Sequence, residues 1–495
     1  MVSDAATFGL AVALIAVVGL TAILLNRLSE RIGVPAPAFV LVAAAVAAQL
    51  SPRLGDVDPR TAGRLVAVAL AVILFDGGLG LGRRRAREVA APVLLLGVVG
   101  TFLTMAGVGA LGYFGLGLSG WGALLVGAAV APTDPAVVLA VLGRREITGR
   151  AGAVLVGESG ANDPVGIALM VGLIAGGGIG VGPLVDAAGH FAAQVAIGTI
   201  GGLLGAWALD LFTNRVGLPN ETLYPLRTLA GGLIIFGLTS AAHGSGFLAV
   251  FLAGIQLGDR PAPYKQESER FLSALAGVGE IVAFVALGLT VDLDVLERRD
   301  VWLPGIVIAA ALAFVVRPLL VGLCLLPIRM GGNERAFVLW AGLKGAVPIL
   351  LGTYLLTAQV PDAPRLYGIV VIVVLCSVVV QGGTVGPAAR LLRIPMRSTQ
   401  LEPYAVGLRV NTPPTEAHEI TVAAGAVADG TCIAELPGVG QTLWIGLLAR
   451  DGAILTPDLG TRLHRGDRLL VMSQPDRWPS TRALFADPAP WTTES

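Results

Sequence analysis

Apolar runs recur along this chain at the length that a lipid bilayer demands. A helix needs about 20 predominantly apolar residues to cross the hydrocarbon core. Stretches of that kind, separated by charged or Pro/Gly-rich breaks, fall near 7–26, 36–50, 63–82, 89–114, 120–142, 151–175, 188–212, 226–242, 246–258, 272–292, 302–326, 334–358 and 366–389. In lipid every backbone N–H and C=O must be paired within its own segment, so thirteen such spans predict an all-α polytopic membrane protein. The composition agrees: 55% of the 495 residues are hydrophobic and 14% charged, where soluble domains carry roughly a quarter. The 67 glycines let helix backbones approach closely, as packing inside lipid requires. The first run follows Asp4 rather than a basic segment and is long enough to span, so it reads as a retained helix and not a cleaved leader.

Charge placement orients the bundle. With the N-terminus outside, the loops that then face the cytoplasm hold 18 Lys and Arg and the opposite loops hold 6, which matches the positive-inside rule. An odd number of spans then leaves the C-terminus cytoplasmic, in a plasma (inner) membrane. The formal net charge is zero and the 32 arginines against 2 lysines reflect compositional bias, so no basic surface points to nucleic acid. Cys324, Cys376 and Cys432 are too scattered to suggest a disulfide framework or a metal site.

The character changes at about Arg397. The last 98 residues carry 18 charges and no spanning run, so the chain divides into a membrane domain, 1–397, and a soluble domain, 398–495, joined by a linker from Pro395 to Pro414. Leu443–Ala449, the turn Arg450-Asp451-Gly452 and Ala453–Leu455 read as a hairpin. A further strand follows Arg465-Gly466-Asp467, so the soluble domain is expected to be mainly sheet.

Ionisable groups in mid-membrane cost at least ~2.5–3.5 kcal/mol on insertion scales and are functional candidates by default. Seven sit well inside the spans, more than three residues from either end: Asp76, Asp134, Glu158, Asp163, Glu280, Arg317 and Lys344. The excess of acids suggests a cationic substrate. The sharpest cluster is Gly157-Glu158-Ser159-Gly160-Ala161-Asn162-Asp163-Pro164. On a helix Ser159 and Asp163 share a face with Asn162 alongside, while Glu158 points elsewhere. Pro164 removes a backbone bond and Gly160 loosens the preceding turn, predicting a broken helix with free carbonyls beside Asp163. Ala131-Pro132-Thr133-Asp134-Pro135 repeats the device, and unwound carbonyls of this kind coordinate small cations in secondary transporters. Asp134 alternatively caps the half-helix that starts at Pro135. Arg317, surrounded by apolar residues, needs an anion, and Glu158 is the expected partner in a structural ion pair. Lys344 either tunes the field at the site or braces a broken helix. Asp76 either reaches the cavity or caps a break at Gly77-Gly78. Glu280 and His243 have no motif around them, so snorkelling or a satisfied hydrogen bond is expected there.

Taken together and in order, Phe75-Asp76-Gly77-Gly78-Leu79, Ala131 to Pro135, Gly157-Glu158-Ser159 with Asn162-Asp163-Pro164, Arg317-Pro318, and Gly342-Leu343-Lys344-Gly345-Ala346-Val347-Pro348-Ile349 resemble the monovalent cation:proton antiporters. Within that family they resemble the NhaP-type and cell volume regulation potassium/proton branch. The resemblance implies a thirteen-helix inverted-repeat fold with two crossed unwound helices, and a homodimer in which a core domain moves against a dimerisation domain. Asp163 would take either the cation or the proton, and Ser159 and Thr133 would offer oxygen ligands. Asn162 would be the neutral neighbour typical of the electroneutral branch, Glu158 would pair with Arg317, and Asp76 would be an acid near the site. The tail, most clearly at Thr461-Arg462-Leu463 and Gly466-Asp467, resembles the TrkA-C half of a potassium-regulatory module, without the dinucleotide-binding half.

The expected activity is secondary active exchange of a monovalent cation, potassium favoured and sodium possible, for protons. It is electroneutral and modulated by the tail, which would take a small-molecule ligand if any. A carboxylate kept from water has to be neutralised by a proton or a cation, and one site cannot hold both. No cofactor is called for. A ligand-gated monovalent cation channel is the alternative, although its acids would normally repeat on symmetry-related subunits. A membrane protease using Ser159 with His243 or Lys344 lacks the Gly-x-Ser-x-Gly context, and a transport-dead sensor would leave the ion residues unexplained.

Overall fold

The computed structural model describes residues 19–21, 35–51, 55–142, 145–147, 150–398, 406–408, 415–440, 442–450, 453–473 and 477–485. They form two units, Met1–Ser398 and Thr399–Ser495.

The first unit is helical. In chain order it contains α1 (Ala36–Leu50), α2 (Pro59–Glu88), α3 (Ala90–Gly115), α4 (Gly120–Ala129), α5 (Pro135–Leu142), α6 (Arg150–Gly176), α7 (Val181–Arg215) and α8 (Leu223–Ala241). There follow α9 (Gly246–Gly258), α10 (Lys265–Gly288), α11 (Arg299–Leu325), α12 (Gly332–Trp340), α13 (Ala346–Thr357) and α14 (Ala363–Leu391). Among the described residues seven of these are long and apolar enough to cross a membrane, namely α2, α3, α7, α8, α10, α11 and α14, and α1, α4, α9 and α13 are shorter apolar helices. Every expected span from 36–50 onward meets a helix, while the span at 7–26 lies outside the described residues apart from 19–21.

The helix breaks depart from the expected pattern in two places. Helix α2 runs through Gly77-Gly78 and kinks instead at Gly82, whose φ of 64° is left-handed, a conformation that glycine adopts without steric cost. Helix α6 is continuous through Pro164. Gly160 does not loosen it, because the Phe251 ring lies against Gly160 where a side chain would sit. Proline inside a membrane helix is tolerated where neighbouring helices pack around the freed carbonyl. The chain unwinds at 131–134, between α4 and α5, and at 342–345, between α12 and α13.

Two short strands close this unit. β1 (Arg145–Ile147), in the connection from α5 to α6, pairs antiparallel with β2 (Met396–Ser398), which follows α14. The expected linker at Pro395–Pro414 therefore begins as paired strand, because its backbone finds a partner beside the α5–α6 connection.

The second unit is a five-stranded sheet in the order β3-β4-β7-β5-β6, built from β3 (Val406–Leu408), β4 (Thr415–Thr421), β5 (Leu443–Arg450), β6 (Ala453–Leu455) and β7 (Arg468–Ser473). The neighbouring strands are antiparallel. The β5–β6 hairpin pairs Arg450 with Ala453, as the turn chemistry predicts. Leu443, Leu448, Leu463, Leu469, Val471 and Phe485 belong to its own core. Asp467 lies buried at the start of β7, where it accepts two hydrogen bonds from Arg450, at 2.8 and 2.7 Å, and one from the His464 N–H at 2.7 Å.

Candidate functional site

The two unwound segments cross. The Asp134 N–H donates to the Leu343 carbonyl at 2.8 Å, and the Lys344 ammonium donates to the Ala131 and Pro132 carbonyls at 2.9 and 3.1 Å. Prolines at 132 and 135 supply no N–H, so the helix cannot continue through them. Its orphaned carbonyls need a donor, and a cation at a helix C-terminus also opposes the dipole. Lys344 meets both needs in the unwound segment that follows α4. Arg317 does the same for α12, donating from Nε to Leu339 O at 2.8 Å and from NH2 to Val338 O at 3.2 Å.

The opposite charge stands at the opposite ends. Asp134 directly precedes α5, and its carboxylate packs on Gly345, the residue before α13, so closely that a Cβ there would overlap Oδ2. One acid therefore faces two half-helix N-termini, where the dipoles favour anions. Gly342 is needed for a parallel reason, because a Cβ there would overlap the Arg317 guanidinium. The Gly-Leu-Lys-Gly spacing thus leaves room for one partner charge at each glycine and carries a third charge between them. On α14, Ser377 accepts from Lys344 N–H at 3.1 Å and donates to Gln381 Oε1 at 2.7 Å. Gln381 in turn donates to Trp340 O at 3.4 Å. Both residues lie in a π-turn, Ser377–Gly382, a widening common at functional sites.

Helix α6 supplies the remaining groups. Asn162 Nδ2 donates to Thr133 Oγ1 at 2.7 Å and its Oδ1 accepts from Thr133 N–H at 3.3 Å, tying the unwound 131–134 segment to α6. Ser159 donates to Asp163 Oδ2 at 3.4 Å. Asp163 is 6% exposed, and its Oδ1 has no hydrogen-bond partner among the described residues. Its charged neighbours are Asp134 and Lys344. On another face of the same helix Glu158 Oε1 meets Arg317 NH2 at 2.8 Å, with both side chains almost fully buried.

The predicted residues are thus brought together with one displacement. Thr133, Asp134, Glu158, Ser159, Asn162, Asp163, Arg317 and Lys344 share the crossing. Asp76 instead lines a cavity of about 710 Å³ with Arg84, Lys265, Glu269, Arg270 and Ser273. His243 is exposed, with φ 61°, in the turn between α8 and α9, and the Ser159 hydroxyl faces a carboxylate, so neither suits the protease alternative. Sequence reasoning missed Ser377 and Gln381, although Ser377-Val378-Val379-Val380-Gln381 puts two polar groups at i and i+4 in an otherwise apolar span. It also passed over Arg227, which is buried near the start of α8, 4.7 Å from the Tyr224 ring.

Crossed half-helices whose ends are neutralised by opposite charges beside a buried carboxylate define a membrane transporter of small ions. The transmembrane sodium/hydrogen exchanger family matches residues 9–391, and the chain belongs to that family. It is 33% identical over 489 residues to the K(+)/H(+) antiporter NhaP2 of Shewanella oneidensis, covering 95% of this chain and 82% of that protein. It is also 33% identical over 397 residues to the K(+)/H(+) antiporter NhaP of Alkalimonas amylolytica, covering 78% of this chain and 67% of that one. The Na(+)/H(+) antiporter NhaP of Pseudomonas aeruginosa is 29% identical over 348 residues, covering 65% and 79%. The fold is shared with the sodium proton antiporter MjNhaP1 of Methanocaldococcus jannaschii at pH 8, with a TM-score of 0.63 at 22% identity over 77% of this chain and 98% of that chain.

Proposed function

We propose that the chain is a secondary active antiporter that exchanges a monovalent cation for protons at Asp163. The observation that carries this reading is the buried Asp163 carboxylate, with one oxygen unpartnered among the described residues, beside the crossing. A buried charge without a partner costs several kcal/mol, so either a proton or a cation has to complete the site. Ser159 and the Thr133 backbone and hydroxyl supply further oxygens, Asn162 holds Thr133 in place, and Asp134 and Lys344 set the field. The Glu158–Arg317 pair is structural. With Asn162 neutral, one carboxylate carries one cation or one proton, and exchange is electroneutral.

Potassium is the favoured cation, since the two relatives at 33% identity are named for potassium, although a relative named for sodium keeps that ion open. The protein works as a thirteen-span homodimer, N-terminus outside and C-terminus in the cytoplasm, in the plasma membrane. The second unit acts as a TrkA-C-like regulatory domain that adjusts rate or pH set-point, with a small molecule as its ligand. In support of that role, β2, the last part of the membrane unit before the tail, pairs with the connection between α5 and α6, the two helices that flank the site.

Proteoliposomes with a trapped pH dye and an imposed pH gradient test the proposal. Potassium or sodium, but not choline, should collapse the gradient in the wild type and fail to do so in Asp163→Asn. Tracer cation crossing without proton movement would replace exchange by a channel.

A further inference from the structure

The exchange reading leaves Glu280 without a task, and one of its carboxylate oxygens is neither exposed nor satisfied among the described residues. It sits on α10, in the membrane, with Oε1 shielded from solvent and lacking a hydrogen-bond partner among the described residues. The charged group that acts on it is Asp134, the acid at the crossing, on a different helix and far away in sequence.

The other end of the same helix lines a cavity. Glu269 and Ser273 of α10 line the 710 Å³ cavity together with Asp76, and Glu269 is in turn the charged neighbour of Asp76. At 100° per residue, Glu269, Ser273, Ala276 and Glu280 fall within about 60° of one another on the helix circumference, and Glu280 lies about 16 Å further along the axis. The two residues between the acids on this face are small. Packing agrees on the direction: Gly279 of α10 lies against Ala69 of α2, whereas Glu269 lies near Asp76, two turns further along α2 and on the cavity side.

Four acids therefore follow one another from the cavity to the buried site. Glu269 opens the series and Glu280 continues it three turns deeper. Asp134 is the neighbour of Glu280, and Asp163 is the neighbour of Asp134. Around the crossing stand the carboxylates Asp134, Glu158, Asp163 and Glu280 and the cations Arg317 and Lys344, so acids outnumber bases among these residues.

We propose that Glu280 is an inner station on the access path from this cavity to Asp163, binding the monovalent cation, or a proton, in transit. This rests on the exchange reading above. A cation leaving the cavity would otherwise cross about three helical turns of low-dielectric wall without a counter-charge. Glu280 supplies one part-way.

The test is a cation titration of the full chain in proteoliposomes, with potassium and with sodium, comparing wild type, Glu280→Gln, Glu280→Asp and Asp163→Asn. A charge lining a cleft raises local counter-ion concentration, so Glu280→Gln should raise the apparent KM by about tenfold, with the maximal rate falling less than the KM rises. Glu280→Asp, which keeps the carboxylate, should return most of the affinity. A wild-type KM in Glu280→Gln overturns the proposal. So does a loss of maximal rate at unchanged KM that Glu280→Asp shares, or failure of both variants to elute as folded protein, since either result makes the residue structural. If wild type exchanges, Asp163→Asn does not, and Glu280→Gln is normal, only the station falls. If wild type moves no protons, the exchange reading itself falls.

Discussion

Arg317 offers the most quantitative test of how the crossing is held together. Its guanidinium serves two masters: the Glu158 carboxylate at 2.8 Å and the last carbonyls of α12, Leu339 and Val338, at 2.8 and 3.2 Å. Arg317→Met keeps the side-chain length and removes every donor. Leaving Glu158 buried and unpaired costs about 3–5 kcal/mol, and each charge-assisted bond to a carbonyl adds about 1.5–3 kcal/mol. The total of about 6–11 kcal/mol is comparable with the whole stability of a typical fold, so Arg317→Met should accumulate poorly. Glu158→Gln is milder, near the 3 kcal/mol end, because Arg317 keeps both carbonyls and the amide oxygen can accept the third bond. The decisive point is a change of sign. In the Arg317→Met background, Glu158→Gln removes an unpaired buried charge and should stabilise the protein by about 2–3 kcal/mol. Fluorescence-detected size-exclusion of a GFP-fused full chain after a heating series reads all four melting points. If Glu158→Gln lowers the midpoint equally in both backgrounds, the two residues are not energetically coupled and the reasoning is refuted.

Other consequences follow from single contacts. Gly345→Ala places a methyl on the Asp134 carboxylate; overpacking of this kind costs about 1–3 kcal/mol, and exchange should be lost, whereas Gly217→Ala, where a Cβ meets nothing, should be silent in both melting and transport. Asn162→Ala deletes both bonds to Thr133 and should lower stability by about 2 kcal/mol, with a raised KM for the cation; an unchanged melting point would show that α6 does not hold the unwound segment. In the second unit, burial works against the ionised form of Asp467, but the Arg450 and His464 bonds outweigh it and hold the carboxyl below the ordinary carboxylate range. A carboxyl with a depressed folded pKa stabilises the fold above its unfolded value of about 3.9, and that contribution disappears as pH falls through the lower folded value. Peptic cleavage of the tail should therefore accelerate below about pH 4. Asp467→Asn should cleave faster at pH 5 and depend less on pH; identical pH profiles would remove Asp467 from the account.

The helical membrane architecture and most residues of the candidate site were legible in the sequence, because a bilayer punishes both polar backbone and buried charge so heavily that span lengths and misplaced ionisable residues stand out in a linear chain. The Glu158–Arg317 proximity could be anticipated from the need of one buried charge for another. Pro132 and Pro135 announced one unwound segment, since proline lacks a donor; the family resemblance implied the other around Gly345 to Pro348, whereas the chain unwinds at 342–345 and is helical from Ala346.

Tertiary contacts decided the rest. Pro164 carries the same local signal as Pro132, yet α6 stays helical while the chain unwinds at 131–134, because the second segment finds Leu343, Lys344 and Asn162 to satisfy its backbone. Glu280 looked like an incidental acid because its neighbour Asp134 is brought to it by folding and not by spacing. Asp76 resembled an acid near the site, and folding puts it on the cavity lined by Arg84, Lys265 and Glu269. Strand β2 was invisible in a Pro-rich stretch whose partner lies 249 to 253 residues earlier, from Ile147 opposite Met396 to Arg145 opposite Ser398. Propensity and insertion cost are properties of a segment and its solvent, so the amino-acid order alone reveals them. Which orphaned carbonyl meets which cation depends on the crossing of helices far apart in the chain, and only the folded bundle sets that.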